Sequence, residues 1–145
     1  MTSTDVTNAH GQKEQRDQLK YLSSVMAKIH KVLVEDQMDK REMIAGEKFS
    51  PGLKLQMLIQ DHEFQWLRLL SQLMAMIDDA TYQKEALSQE QFDGLLDEVN
   101  NLLLQQTHKE FAHRYNHVSK YRPDIRSEHG KLQSFFSHAG VRGLH

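Results

Sequence analysis

The chain has 145 residues, a length that suits one domain with its own hydrophobic core. It carries 18 Lys or Arg, 20 Asp or Glu and no cysteine, so disulfides, thiolate zinc sites and cysteine nucleophiles are excluded. Seven glycines and two prolines are few for this length, and together with abundant Leu, Gln, Glu, Lys and Met they favour helix.

The net charge of -2 conceals an uneven distribution. Residues 1–108 hold 11 Lys or Arg against 17 Asp or Glu, whereas residues 109–145 hold 7 against 3. A basic segment of this kind suits either a solvated surface or contact with an acidic partner. The amino terminus lacks the apolar core of a signal peptide, and no apolar run approaches the roughly 20 residues that span a bilayer. We therefore expect a cytoplasmic protein with no membrane partner.

The first predicted helix runs from Gln12 to Ala45, after a flexible segment of residues 1–11. Apolar residues recur along it at spacings of three and four, as on one face of a helix: Leu19, Leu22, Val25, Met26, Ile29, Val32 and Leu33. Gly46 stands where a left-handed helix cap is expected. Ser50 and Pro51 then form a start signal for a short helix.

Asp61 is the predicted start of a helix that extends to about Gln83 and is the most apolar of the chain. Its buried face is predicted to comprise Phe64, Trp66, Leu67, Leu70, Leu73, Met74 and Ile77. We expect Trp66 to pack in or at the edge of the core. Arg68 lies two positions further along the helix and is expected to form a surface ion pair.

Ser88 and Gln91 form a capping box for another helix, predicted to continue to about Lys120. Pro123 ends it, because the residue before a proline is disfavoured in the helical conformation. Residues 124–138 are predicted to form a short helix with Ile125, Leu132, Phe135 and Phe136 on one face. The pattern therefore divides the chain into a bundle domain of residues 12–122 and a basic, partly helical segment of residues 123–145.

Long amphipathic helices with short connections bury their apolar faces most simply by packing side by side. The predicted fold is all-α: an up-and-down antiparallel bundle of three to four main helices plus a short C-terminal helix. One contiguous core is expected to contain Leu22, Met26, Ile29, Leu33, Leu67, Leu70, Met74, Ile77, Leu96, Val99 and Leu103.

Residues 61–71 include Asp61, Phe64, Trp66-Leu67-Arg68 and Leu70-Ser71. This segment resembles a family of small uncharacterised bacterial helical proteins with the pattern D-P-x-F-x-W-L-R-P-L-S. His62 and Leu69 stand where that pattern has proline, so the resemblance implies a straighter helix here. With Ile77-Asp78 downstream, the resemblance spans 18 of the 145 residues, and it implies no known activity.

Glu110, His113 and His117 have spacings of three and four, which place a carboxylate and two imidazoles on one helical face. Such groups on facing helices hold divalent metals in bundle proteins, and Asp36 and His62 are candidate further ligands from other helices. The opposing interpretation is that the histidines are solvated. The chain has one Glu-x-x-His pair rather than the two of di-iron bundles.

Two apolar stripes in the predicted helix of residues 89–120 are incompatible with one straight helix. Phe92, Leu96, Val99 and Leu103 lie on a line that continues through Glu110 and His117, whereas Phe111, Tyr115 and Val118 lie on the other side. Either the helix kinks near residues 104–108, or the core becomes polar at this end. Only the second alternative would build a metal site.

The sequence contains no phosphate-binding glycine loop, nucleophile elbow or dinucleotide fingerprint. The leading interpretation is a non-enzymatic helical protein that acts through protein-protein contact or self-association and needs no cofactor. A metal-binding bundle is the first alternative. Weak nucleic-acid binding is the second, with Tyr121, Phe135 and Phe136 of the basic segment stacking on bases.

Self-association follows from the length of the first helix. A 34-residue helix spans about 50 Å, more than the predicted helix that starts at Asp61 can cover. Its far end contains Met38, Met43 and Ile44, which then need either the C-terminal segment or a second chain. The sequence thus predicts a homodimer.

Overall fold

The computed structural model describes the backbone of residues 2–141 and the side chains of residues 11–138. Within these residues the protein has six α-helices and no strand, which confirms the all-α prediction. The helices are α1 (Thr2–Ala45), α2 (Pro51–Gln60), α3 (Arg68–Tyr82), α4 (Gln89–Val99), α5 (Lys109–Ser119) and α6 (Pro123–Val141). A 3₁₀-helix (His62–Leu67) precedes α3, and a π-helical turn (Asn100–Leu104) follows α4.

Three helix starts follow the signals in the sequence. The Ser50 and Ser88 hydroxyls accept backbone N–H groups of Leu53 and Gln91, and the Asp61 carboxylate accepts that of Glu63. These side chains satisfy donors that have no partner inside the helix. The start of the first helix was predicted wrongly, because α1 begins at Thr2 rather than Gln12.

The predicted continuous helix of residues 89–120 is wrong. The helix widens into a π turn, ends, and restarts at Lys109. Asn100 and Asn101 accept the backbone N–H groups of Gln105 and Thr107 at 2.8 and 3.0 Å. Gln106 then adopts the left-handed conformation, with φ of 58°. Of the two alternatives for residues 104–108, the change of helix direction is therefore the one observed.

One core joins the helices. Ten of the eleven predicted core residues are buried in it, and the eleventh, Met74, is half-buried against it. Ile125 and Leu132 of α6 are completely buried in the same core. The core therefore extends across the predicted boundary between residues 12–122 and residues 123–145.

α1 lies against α3 on one side and α6 on another, and both pairs are antiparallel. Arg16 donates to the carbonyl oxygen of Thr81 at 2.6 Å, while Arg41, further along α1, pairs with Asp61 at 2.7 Å. On the α6 side, the rings of Tyr21 and Phe135 stack with centroids 6.1 Å apart, while Asp36, further along α1, contacts Tyr121 just before the start of α6. Every helix in the described residues is too short or too polar to cross a membrane.

Candidate functional site

The side chains of Glu110, His113 and His117 are all exposed on α5. The opposite face of this helix carries Phe111, Ala112, Tyr115 and Val118 into the core. The chain break before Lys109 permits this orientation, because α5 need not continue the apolar stripe of α4. Glu110 pairs with Arg114 on its own helix, at 3.5 Å between Oε1 and Nε.

The other two predicted ligands lie apart from this exposed face. Asp36 is buried on α1, and His62 is exposed in the 3₁₀-helix. In the described part of the chain, no three His, Asp or Glu side chains are grouped closely enough to hold a metal ion. The hypothesis required Glu110, His113 and His117 to face inward, and they face solvent. Metal binding stays a prediction, which metal analysis of the purified protein would test.

Asp36 nevertheless turns inward, because it continues the α1 line of Leu22, Met26, Ile29 and Leu33 at helical spacing, and it has polar partners from a distant part of the chain. Its Oδ2 accepts a hydrogen bond of 2.8 Å from the Tyr121 hydroxyl and lies 3.1 Å from Lys40 Nζ. Its Oδ1 lies 3.9 Å from Arg122 Nε. A buried carboxylate is costly unless it is paired and hydrogen-bonded, and these three groups supply that compensation.

Tyr121 connects this buried carboxylate with the predicted α5 cluster. Lys40 donates to its hydroxyl at 2.6 Å and lies over its ring, 5.1 Å from the centroid. The His117 ring meets the same ring edge-on at 5.7 Å. The arrangement joins α1 to the turn between α5 and α6 through hydrogen bonds and ion pairs.

Trp66 packs in the core, as predicted, with Phe111 at 5.6 Å and the Arg114 guanidinium at 5.8 Å from its ring. Arg68 was expected in a surface ion pair. It instead donates to the backbone carbonyl oxygen of Ile59, at 2.6 Å from Nη2.

Large apolar side chains are exposed at the end of α1 and on α2. Met43 and Ile44 are 81% and 83% exposed, and Leu55 and Ile59 are 59% and 57% exposed. Leu55 and Ile59 are four residues apart and therefore share one face of α2. We call these four residues the end surface.

Glu42 holds the start of α2 against the end of α1. The backbone N–H of Phe49 donates to its carboxylate at 2.6 Å, and Lys54 of α2 lies 3.7 Å from the same oxygen. The N–H donor, followed by the charges of Lys54 and Lys48, lowers the pKa of Glu42. An ionised Glu42 thus fixes the connection between α1 and α2.

Comparison with known proteins found no matching family model, no matching curated protein and no matching solved structure. The resemblance of residues 61–71 to a bacterial family stays a prediction.

Proposed function

We propose that this is a non-enzymatic helical protein that acts through protein-protein contact, and that the contact is self-association through the end surface. The observation that carries this proposal is the exposure of Met43 and Ile44 in the last turn of α1 and of Leu55 and Ile59 along α2. Grouped apolar side chains on a protein surface are typical of interaction sites, because burying each one stabilises an interface by roughly 1.5–3 kcal/mol.

The argument for a dimer from the length of α1 now rests on fewer residues. Met38 is buried within the chain, so it needs no second molecule. Met43 and Ile44 remain uncovered in the last turn of α1, which is the part of the predicted overhang that still needs a partner. A twofold arrangement would bury this end surface against its own copy.

The arrangement we propose for the whole molecule is an up-and-down bundle. It is supported by the antiparallel pairs that α1 makes with α3 and α6, and by the hydrogen bond between Gln83 and Gln91 at the connection of α3 to α4. A cytoplasmic location is part of the same proposal, and cell fractionation would test it.

Sedimentation velocity over a range of concentrations tests self-association. We expect a dimer whose dissociation constant rises by about tenfold or more in Ile44→Glu and in Leu55→Glu, because each places a charge in an apolar interface. Met76→Glu is the matched control, since Met76 is 50% exposed on α3, away from the end surface. It should leave the dimer unchanged.

A monomer at high micromolar concentration would overturn self-association. An equal effect of Met76→Glu and Ile44→Glu would show that the end surface is not the interface. Contact with a different protein would then be examined by photo-crosslinking in cells from position 44, with position 76 as the control.

A further inference from the structure

A cleft of about 370 Å³ lies between α1, the end of α2 and the start of α3. Its apolar lining comes from Leu58, Ile59, Phe64 and Leu67. The polar lining comes from His30, Arg68 and Ser71. Small-molecule sites are concave and mostly apolar, with a few polar groups, and occupy about 300–1,000 Å³. This cleft has that composition and lies at the small end of the range.

Arg68 supplies the only charge in the lining, and it is held in place. Its Nη2 donates to the Ile59 carbonyl oxygen at 2.6 Å, which fixes the guanidinium at the edge of the cleft. A guanidinium has five N–H donors, so this bond leaves others for a ligand. No acidic side chain in the described residues forms an ion pair with Arg68, and none lines the cleft.

His30 and Ser71 complete the polar edge. His30 is half-buried, and burial lowers the pKa of its imidazole, so the ring is neutral near pH 7. The Ser71 hydroxyl, also in the lining, donates to the Arg68 carbonyl oxygen at 3.2 Å. The edge therefore combines one fixed cation with neutral polar groups.

We propose that this cleft binds a small apolar carboxylate, with its hydrocarbon part against Leu58 and Ile59 and its carboxylate on Arg68. An anion is favoured because the cleft presents a cation and no acid. A carboxylate is favoured because its two oxygens match the planar donors of a guanidinium. The cleft shares Ile59 with the end surface but contains none of the residues substituted in the sedimentation experiment, so hexanoate is titrated into Ile44→Glu as well as into the wild type.

Hexanoate is the probe, titrated into the full-length protein by calorimetry and by NMR. We expect saturable binding, with the largest ring-proton shifts among the histidines at His30. Hexanol, which has the same chain without the charge, should bind at least about tenfold more weakly, because it forms no charge-assisted hydrogen bond. Arg68→Gln should weaken hexanoate by a similar factor, and Arg68→Lys by less.

Arg126→Gln is the matched control, because Arg126 also donates to backbone carbonyl oxygens, those of Ser119 and Lys120, but lies outside the cleft. It should leave the affinity for hexanoate unchanged. Equal affinities for hexanoate and hexanol, equal effects of the Arg68 and Arg126 variants, or no saturation below about 10 mM would each overturn the proposal.

Discussion

The Tyr121 hydroxyl donates a hydrogen bond of 2.8 Å to the buried carboxylate of Asp36, although 85 residues separate the two in sequence. Tyr121 is itself 45% exposed, whereas Asp36 is 8% exposed. This pair fixes the turn between α5 and α6 on α1, and its loss has a predictable cost.

Tyr121→Phe should lower the free energy of unfolding by about 1–2 kcal/mol, because it removes a donor from a buried carboxylate and keeps the ring. Urea unfolding measures this change. Tyr82→Phe is the control. Tyr82 is 71% exposed, and Lys20 Nζ lies 5.7 Å from the centroid of its ring. Equal stabilities of the two variants would contradict a role for the Tyr121 hydroxyl.

Leu70→Ala should lower the free energy of unfolding by about 2–5 kcal/mol, because Leu70 is completely buried and the truncation leaves a cavity. The neighbouring Leu69 is 39% exposed, so Leu69→Ala should cost much less. Denaturant unfolding of both variants provides the comparison. A cost below about 0.5 kcal/mol for Leu70→Ala would mean that the apolar stripe of α3 is misplaced.

Glu42 should make the protein less stable in acid. The Phe49 N–H lowers the pKa of this carboxyl below its usual 4.5, so its contribution is complete above pH 4.5 and is lost as the pH falls through the folded-state pKa. Urea unfolding of Glu42→Gln between about pH 6 and pH 3 should show a smaller loss in acid than the wild type.

Some loss in acid should persist in that variant. The Glu63 N–H and Arg41 lower the pKa of Asp61 below 3.8, so this carboxylate also loses its stabilising contribution as the pH falls. Glu47 is an exposed acid in the loop between α1 and α2. Glu47→Gln should leave the dependence of stability on pH unchanged. A profile for Glu42→Gln that coincides with that of the wild type would refute the role of Glu42.

In the folded protein, His129 should become protonated only at a lower pH than a histidine in the unfolded chain. Burial lowers its pKa from 6.5, and its Nδ1 lies 2.8 Å from the Tyr115 hydroxyl. Burial raises the pKa of Tyr115, so its hydroxyl stays protonated and donates to Nδ1 when the neutral ring carries its proton on Nε2. Proton NMR should give a titration midpoint for His129 below 6.5.

The same shift predicts how stability changes with pH. Between pH 6.5 and the folded-state pKa of His129, the unfolded chain binds more protons than the folded protein. The free energy of unfolding should therefore fall as the pH falls through this range, and the stabilising contribution of the neutral ring should be fully present above pH 6.5. Burial also lowers the pKa of His30, so this residue contributes to the loss of stability in the same direction. His129→Gln should therefore reduce the fall without abolishing it, as measured by urea unfolding at pH 7.5 and at about pH 5.5.

The core was predictable because its residues recur at helical spacing and because Ser50, Asp61 and Ser88 mark helix starts. The end of α4 was harder to predict, because residues 100–108 contain neither glycine nor proline. Gln106 takes the left-handed conformation without glycine, and its amide exchanges two hydrogen bonds of 2.9 Å with Asn116. That pairing joins residues ten apart and leaves no local pattern in the sequence.

The candidate sites were less predictable than the fold. Periodicity placed Asp36 toward the interior, but it could not supply Tyr121 as the partner, since that contact depends on how α6 folds back. His30 and Arg68 line the same cleft because α1 passes beside the start of α3. Their separation in sequence gives no spacing motif. The exposed orientation of His113 and His117 was predictable from helical geometry, because they lie opposite Phe111, Tyr115 and Val118 once α5 is treated as a separate helix.

The central position of α1 has a consequence for synthesis of the chain on the ribosome. Its buried side is covered by α3 and α6, and Tyr121 emerges 76 residues after Ala45, the end of α1. At about 5–20 residues per second, this interval lasts roughly 4 to 15 s. During that time the apolar face of α1 lacks its final cover. The nascent chain should therefore depend on chaperones for longer than a bundle whose neighbouring helices pair in order.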